Sequence, residues 1–271
     1  MILRRITQHV KDQNWFAVAL DFFIVVVGIL IAFQITNWGD AQTERKRETQ
    51  ILQQIATDLL SDLDDYSISI DATLTKIATA TYLVEQARQT APLHLTDGVE
   101  IGTMTYQDYI DSHIQLRKKS FVERVEALSN EFWSFAVLVA NAQPSTTAFD
   151  SIVSAGELGI LRDKALVQNL QEYRHITSAL QKAQDVTLRP ARNNAIEIGQ
   201  QYGLSVFGGV EKEVLIELLS TSPELAATIQ NQLGWAKGHF VMVAAAQQNA
   251  KALLDQINQT LGSPPNQEAS R

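Results

Sequence analysis

The chain has 271 residues, enough for one or two domains at about 100–200 residues each. Hydrophobic residues make up 45% and charged residues 19%, with only 13 Gly and 6 Pro, which excludes a disordered or collagen-like chain. There is no cysteine, so disulfides, zinc ribbons, iron–sulfur clusters and thiol nucleophiles are excluded, while the redox compartment stays unspecified. A net charge of −8 argues against a nucleic-acid-binding surface, which is normally basic.

Residues 16–35 read FAVALDFFIVVVGILIAFQI, bracketed by Trp15 and Trp38. Fourteen of these twenty are large and apolar. At roughly −0.3 to −0.6 kcal/mol each they contribute about −6 kcal/mol to insertion, against at most about +3.5 kcal/mol for Asp21. Twenty helical residues span about 30 Å, the thickness of a hydrocarbon core. The sequence therefore predicts a transmembrane helix over 15–38, with Trp15 and Trp38 as interface anchors. A cleaved signal peptide is the competing reading, with Arg4, Arg5 and Lys11 as its basic region and a cleavage site at Gly39-Asp40-Ala41. The length, Trp38 just before that site and the helical pattern beyond it oppose this reading. A run apolar all round also argues against the core helix of a soluble protein.

Lys and Arg flank the span equally, with Arg4, Arg5 and Lys11 before it and Arg45, Lys46 and Arg47 after it. The amino terminus tips the balance toward a cytoplasmic tail over 1–14. The expected location is the bacterial inner membrane, with the C-terminal part periplasmic. Within the span, Asp21, Val25, Gly28, Ala32 and Ile35 share one helical face, and Gly28 and Ala32 form a small-xxx-small pair. Two readings of Asp21 stand: it hydrogen-bonds across a self-associating pair of helices, or it snorkels to headgroups near Trp15.

The run GILIAFQITNW, from Gly28 to Trp38, resembles the N-terminal hallmark of an uncharacterised family of bacterial single-pass membrane proteins. In that family a G-I-L-I-A-x-Q-I-x-N-W pattern ends the span and a long charged helix follows. TAFDSIVSAGELGILRDKALVQNLQEYRHI, from Thr147 to Ile176, is similar to a later block of the same family. The family is a domain of unknown function, so the resemblance implies topology and helical architecture and no catalytic or binding residue. This sequence departs from it with Asp at 21 where Glu is usual, and with Gly39-Asp40 after Trp38.

Leu52, Ile55, Leu59, Leu63, Tyr66, Ile70, Leu74 and Ile77 recur every three or four residues, so 41–90 reads as one amphipathic helix that needs partners along its stripe. Leu93 to Gly102 reads as a loop, and 103–119 and 121–142 as helices, the second carrying Phe132, Trp133 and Phe135. Pro144-Ser145-Thr146 offers a cap for a helix ending at Gly156, and Asp163 caps a longer helix that Pro190 kinks or breaks before 191–202. Gly203, Gly208 and Gly209 make a turn. Helices follow at 211–221 and 223–261, the latter opened by Ser222-Pro223. Residues 263–271 read as a disordered tail. The expected fold is all-α: a transmembrane helix continuing into a long helix, packed in an elongated antiparallel bundle over 39–262.

Chemistry is sparse. Of His9, His94, His113, His175 and His239, only His175 has a ligand-like neighbour, Glu172, and the second E-x-x-H of a di-iron bundle is missing. No P-loop, H-E-x-x-H, G-x-S-x-G or dinucleotide fingerprint occurs. Gly156 and Gly159 fit a helix–helix connection better than an anion cradle. Asp58, Asp62 and Asp65 lie on one helical face, which reads as solvated. Arg117, Lys118, Lys119 and Arg124 form a basic patch against lipid or another helix, too small for nucleic acid. No enzyme activity, cofactor or metal is expected. The expected partners are the lipid bilayer, a second copy of the chain and another envelope protein. Two functions remain in view: a membrane-anchored scaffold, and a periplasmic ligand-sensing module. With a 14-residue tail as the cytoplasmic part, a sensor would signal through a partner protein.

Overall fold

The computed structural model describes residues 15–90 and 118–262, with side chains over 20–90 and 122–262. The expected N-terminal tail, the loop at 93–102, the helix at 103–119 up to residue 117, Arg117, His9, His94, His113 and the tail at 263–271 lie outside the described residues. So do the side chains of Trp15, Lys118 and Lys119. The described chain is all-α, with no strand. It divides into two compact units, Met1–Ile51 and Leu52–Arg271.

Helix α1 (Trp15–Thr90) supplies the described part of the first unit and enters the second. In the first unit, every described side chain from Leu20 to Asp40 is exposed except the half-buried Val26 and Val27. Its most apolar 18-residue window has a mean hydropathy of 2.0, and α1 is the one helix among the described residues long and apolar enough to cross a membrane.

In the second unit, α1 buries the stripe read from the sequence, from Leu52 through Ile77. The other elements are α2 (Lys118–Glu126), α3 (Phe132–Val137), α4 (Thr147–Ser154), a 3-10 turn at Leu158–Ile160, α5 (Lys164–Ala183), a π turn at Gln184–Leu188, α6 (Arg189–Gln201), α7 (Lys212–Thr221) and α8 (Pro223–Thr260). Cross-helix bonds fix the directions. Ser67, Thr73 and Lys76 meet Gln247, His239 and Gln232 in turn, so α8 runs antiparallel to α1. The side chain of Tyr66 meets Tyr173, and α5 and α6 run in the same direction as α1. Asp163 caps α5 through Ala165 and Leu166, and Ser222 caps α8 through Leu225, as their sequence positions predict. Gly156 closes α4 at φ +72°, and Gly203 closes α6 at φ +75°.

Three expectations need correction. The helix expected over 121–142 is two short helices and an extended run. Phe132 and Trp133 turn into the core, and Asn130 O accepts from Val210 N at 2.9 Å. The chain after α3 is held by side chains rather than by helical bonds, including Ser69 Oγ donating to Ala140 O at 2.7 Å. Of the kink or break expected at Pro190, the break is absent. The π turn absorbs the proline, with Arg189 N donating five residues back to Gln184 O and Pro190 in the first turn of α6, where its missing N–H is tolerated. The cap expected from Pro144-Ser145-Thr146 is only partly made: Ser145 Oγ accepts from Thr147 N at 3.4 Å, but the Thr146 hydroxyl donates to Asp150 Oδ2 at 2.6 Å.

Candidate functional site: an exposed apolar face and a buried polar centre

On the first unit, Asp21, Gly28, Ala32 and Trp38 are all exposed, and a Cβ at Gly28 would meet nothing within 4 Å. The helical backbone places Asp21, Val25, Gly28, Ala32 and Ile35 along one face, as their spacing predicts. Trp15 is the first residue of α1. Apolar surface surrounds this face: Phe22, Phe33 and Trp38 are each about two-thirds exposed or more, at 71%, 65% and 72%.

The acidic face of α1 is not the solvated surface expected. Asp58 Oδ2 accepts from Ala148 N at 2.9 Å, Asp62 Oδ1 accepts from Ser145 N at 2.6 Å, and Asp65 accepts from Gln143 N. Three carboxylates on successive turns thus substitute for a ladder along the run entering α4, with Asp58 capping that helix from another element. Asp62 is buried, and Tyr173 donates to its Oδ2 at 2.6 Å while lying 3.0 Å from the Tyr66 hydroxyl. Burial holds the Asp62 carboxyl above the usual range, against the lowering effect of these hydrogen bonds. Arg124 ties α2 to α1 through Asp71 Oδ1 at 2.5 Å and Thr75 Oγ1 at 2.8 Å, so this member of the basic patch is an inter-helix contact.

The arrangement that sequence reasoning missed lies on the same helix. Lys76 is 4% exposed, and its Nζ donates to Val137 O at 2.7 Å and Gln232 Oε1 at 2.8 Å. Gln232 is held in place by donating its own amide to Ala191 O at 3.0 Å. Thr73 Oγ1 donates to Ser69 O at 2.7 Å, so toward His239 Nδ1, 3.1 Å away, it can only accept. That fixes the neutral imidazole with its proton on Nδ1. Its Nε2 is buried without a partner. Burial, then the charge of Arg192, pulls Lys76 down to about 7; burial, then Lys76, pulls His239 down to about 4.

These groups surround a cavity of about 20 Å³, lined also by Asn141, Leu188, Arg189 and Trp235. Such a volume takes one water-sized occupant. Lys76 falls on the buried register of α1, seven residues after Ser69 and seven before Leu83. A lysine on that stripe was the available signal. Glu172 and His175 are exposed on α5, and no group of three His, Asp or Glu that could hold a metal occurs among the described residues. Gly156 and Gly159 sit in the connection between α4 and α5.

Comparison with protein-family models, with curated proteins and with solved structures returns no match to this chain.

Proposed function

We propose that this chain is a membrane-anchored helical scaffold or interaction protein that self-associates. Its anchor is 15–38, its N-terminus is cytoplasmic, its bundle is periplasmic, and it sits in the bacterial inner membrane. The exposed apolar surface of α1 from Leu20 to Ile35 carries this reading, because so much large apolar surface left bare on one helix calls for lipid or protein around it. Asp21, Gly28 and Ala32 form the packing face between copies, with lipid or another envelope protein on the remaining faces. The resemblance of Gly28 to Trp38 to single-pass membrane proteins of unknown function belongs to the same proposal. No catalytic activity, cofactor or nucleic-acid partner is assigned.

The test is a topology reporter fused after Arg271, combined with cross-linking in intact membranes. A reporter active on the periplasmic side and cross-linked dimers support the proposal. A reporter active only in the cytoplasm, or a chain released from membranes by alkaline carbonate, overturns it.

A second reading, a ligand-sensing module signalling through a partner protein, is favoured by the polar cavity at Lys76, Gln232 and His239 inside the bundle, whose volume of about 20 Å³ limits the ligand to a water-sized species. A conformational change of the bundle that follows addition of such a ligand would select it over the scaffold.

A further inference from the structure

We propose that the cavity between Lys76, Arg192, Gln232 and His239 is a binding site for a single monatomic anion of the chloride class. Every ionisable residue lining the cavity is basic: Lys76 from α1, Arg189 and Arg192 from α6, and His239 from α8. No carboxylate lines it among the described residues. Arg189 is neutralised by Asp185, with Nη2 2.7 Å from Oδ1, one turn before it. Arg192 has no carboxylate partner among the described residues, and its side chain bonds only the amide oxygen of Asn193, at 3.1 and 3.3 Å. Lys76 Nζ donates to two neutral oxygens, Val137 O and Gln232 Oε1.

Buried cations are ordinarily paired, because an isolated charge away from water is costly. Here no negative partner stands among the described residues, and a space for one is present. The space is about 20 Å³, which admits an atom of roughly water size and excludes a phosphate or a carboxylate-bearing metabolite. Lys76 as an ammonium has a third N–H beyond the two it gives to Val137 O and Gln232 Oε1. The Asn141 amide, whose oxygen is unpartnered, presents its NH2 after a half-turn. His239 Nε2, the unpartnered atom, becomes a donor when protonated. The anion therefore binds the charged cluster, and binding takes up protons. Affinity falls as pH rises through the Lys76 pKa of about 7. The other charged groups facing the cavity are Arg189 and Arg192, and Asp185, paired with Arg189, lies outside the lining.

The experiment follows thermal unfolding of the full chain in detergent micelles, with sodium chloride or bromide replacing sodium gluconate at constant ionic strength. At pH 6 the midpoint rises saturably by about 2–4 °C at halide concentrations several-fold above Kd, and the rise shrinks at pH 8.5. Lys76→Met replaces the amine by an apolar chain of similar length, and the partly exposed Arg192→Gln spares the core; helicity by circular dichroism confirms that each is folded. Loss of the halide-dependent rise in either folded variant supports the site. Equal midpoints in chloride and gluconate for the wild type mean that water alone fills the cavity. That result overturns the proposal, as does a rise that persists unchanged in both variants.

Discussion

A Cβ placed on Gly199 would lie 2.1 Å from Cζ2 of Trp133, with two further indole carbons within 2.8 Å. Trp133 is fully buried, and Gly199 is the point on α6 where the indole meets helical backbone. Rigid ring atoms cannot swing aside as a flexible chain end would. Gly199→Ala should therefore destabilise the second unit by at least about 1–3 kcal/mol, the usual range for overpacking a core. Gly159, with open space around its missing Cβ, is the control: Gly159→Ala should stay within about 0.5 kcal/mol. Urea unfolding followed by circular dichroism separates the two, and equal midpoints would remove Trp133 from its place against α6.

The clamp made by Asp58, Asp62 and Asp65 leads to a graded series. Asp62→Ala strips acceptors from Ser145 N–H and the buried Tyr173 hydroxyl, which should cost about 1–3 kcal/mol. Asp58→Ala removes only the cap on Ala148 N–H and should cost about 1 kcal/mol. The exposed Asp64 makes no such bond, and Asp64→Ala should be nearly neutral. Hydrogen exchange at Ser145 and Ala148 gives the local readout. Faster exchange in the Asp62 and Asp58 variants is expected, and unchanged protection of both amides would show that the run is held by packing instead.

The long periodic helices were legible because periodicity reports which face is buried, and α1, α5 and α8 each follow that face over many turns. Asp163 and Ser222 were legible as caps because the acceptor and the N–H groups are two or three residues apart. The shorter cap bond on α4, to Ala148 N, was not, since its acceptor, Asp58, lies ninety residues away. Acidic residues on one face look the same in sequence whether water or a backbone amide faces them. The break at 127–131 was equally hidden: Phe132 and Trp133 suit a helix, and the bonds made in the break, Val210 N to Asn130 O and Ser129 N to the Glu131 carboxylate, have no signature in the apolar pattern. On the site, the exposed apolar face of α1 follows from composition, whereas the cavity needs Lys76, Arg192, Gln232 and His239, which only the fold brings together.

Gln184 in the π turn is 1% exposed, and neither its amide oxygen nor its nitrogen has a partner. An amide buried without compensation costs about 1–3 kcal/mol. Gln184→Met keeps the length and flexibility of the side chain while removing both polar atoms. It should raise the unfolding midpoint by a few degrees, on the scale of about 2–4 °C per kcal/mol for a chain of this size. A lower midpoint would mean that the amide is satisfied by water in solution.

The buried amine gives stability a definite pH dependence. Lys76 titrates near 7 in the fold and near 10.4 when unfolded, so between those values the unfolded chain holds the extra proton. Stability attributable to this group therefore rises with pH from about 7 upward, and below 7 the full burden of a buried ammonium remains. His239, near 4 in the fold against 6.5, acts in the same direction lower down: stability is lost as pH falls from 6.5 toward 4. In gluconate buffers, the difference in unfolding free energy between wild type and Lys76→Met should shift in favour of the wild type from pH 6 to pH 9.5. Parallel curves for the two proteins would show that the amine is solvated.

The membrane face yields the sharpest contrast between neighbouring residues. If two copies of α1 meet along Asp21, Gly28 and Ala32, an added side chain at Gly28 separates the backbones, while the same volume at Ile29 points elsewhere. Close helix packing and interhelical hydrogen bonds in membranes contribute about 0.6–1.7 kcal/mol per polar contact, equivalent to roughly 3- to 20-fold in association. Gly28→Leu and Asp21→Leu should each lower self-association of the span by about that factor in a membrane reporter, and Ile29→Leu should leave it unchanged. Asp21→Asn, which retains a hydrogen-bonding group, should keep most of the signal if Asp21 bonds across the pair. If Asp21→Leu associates as well as the wild type while Gly28→Leu does not, the carboxylate sits at the headgroups and the small residues alone hold the pair together.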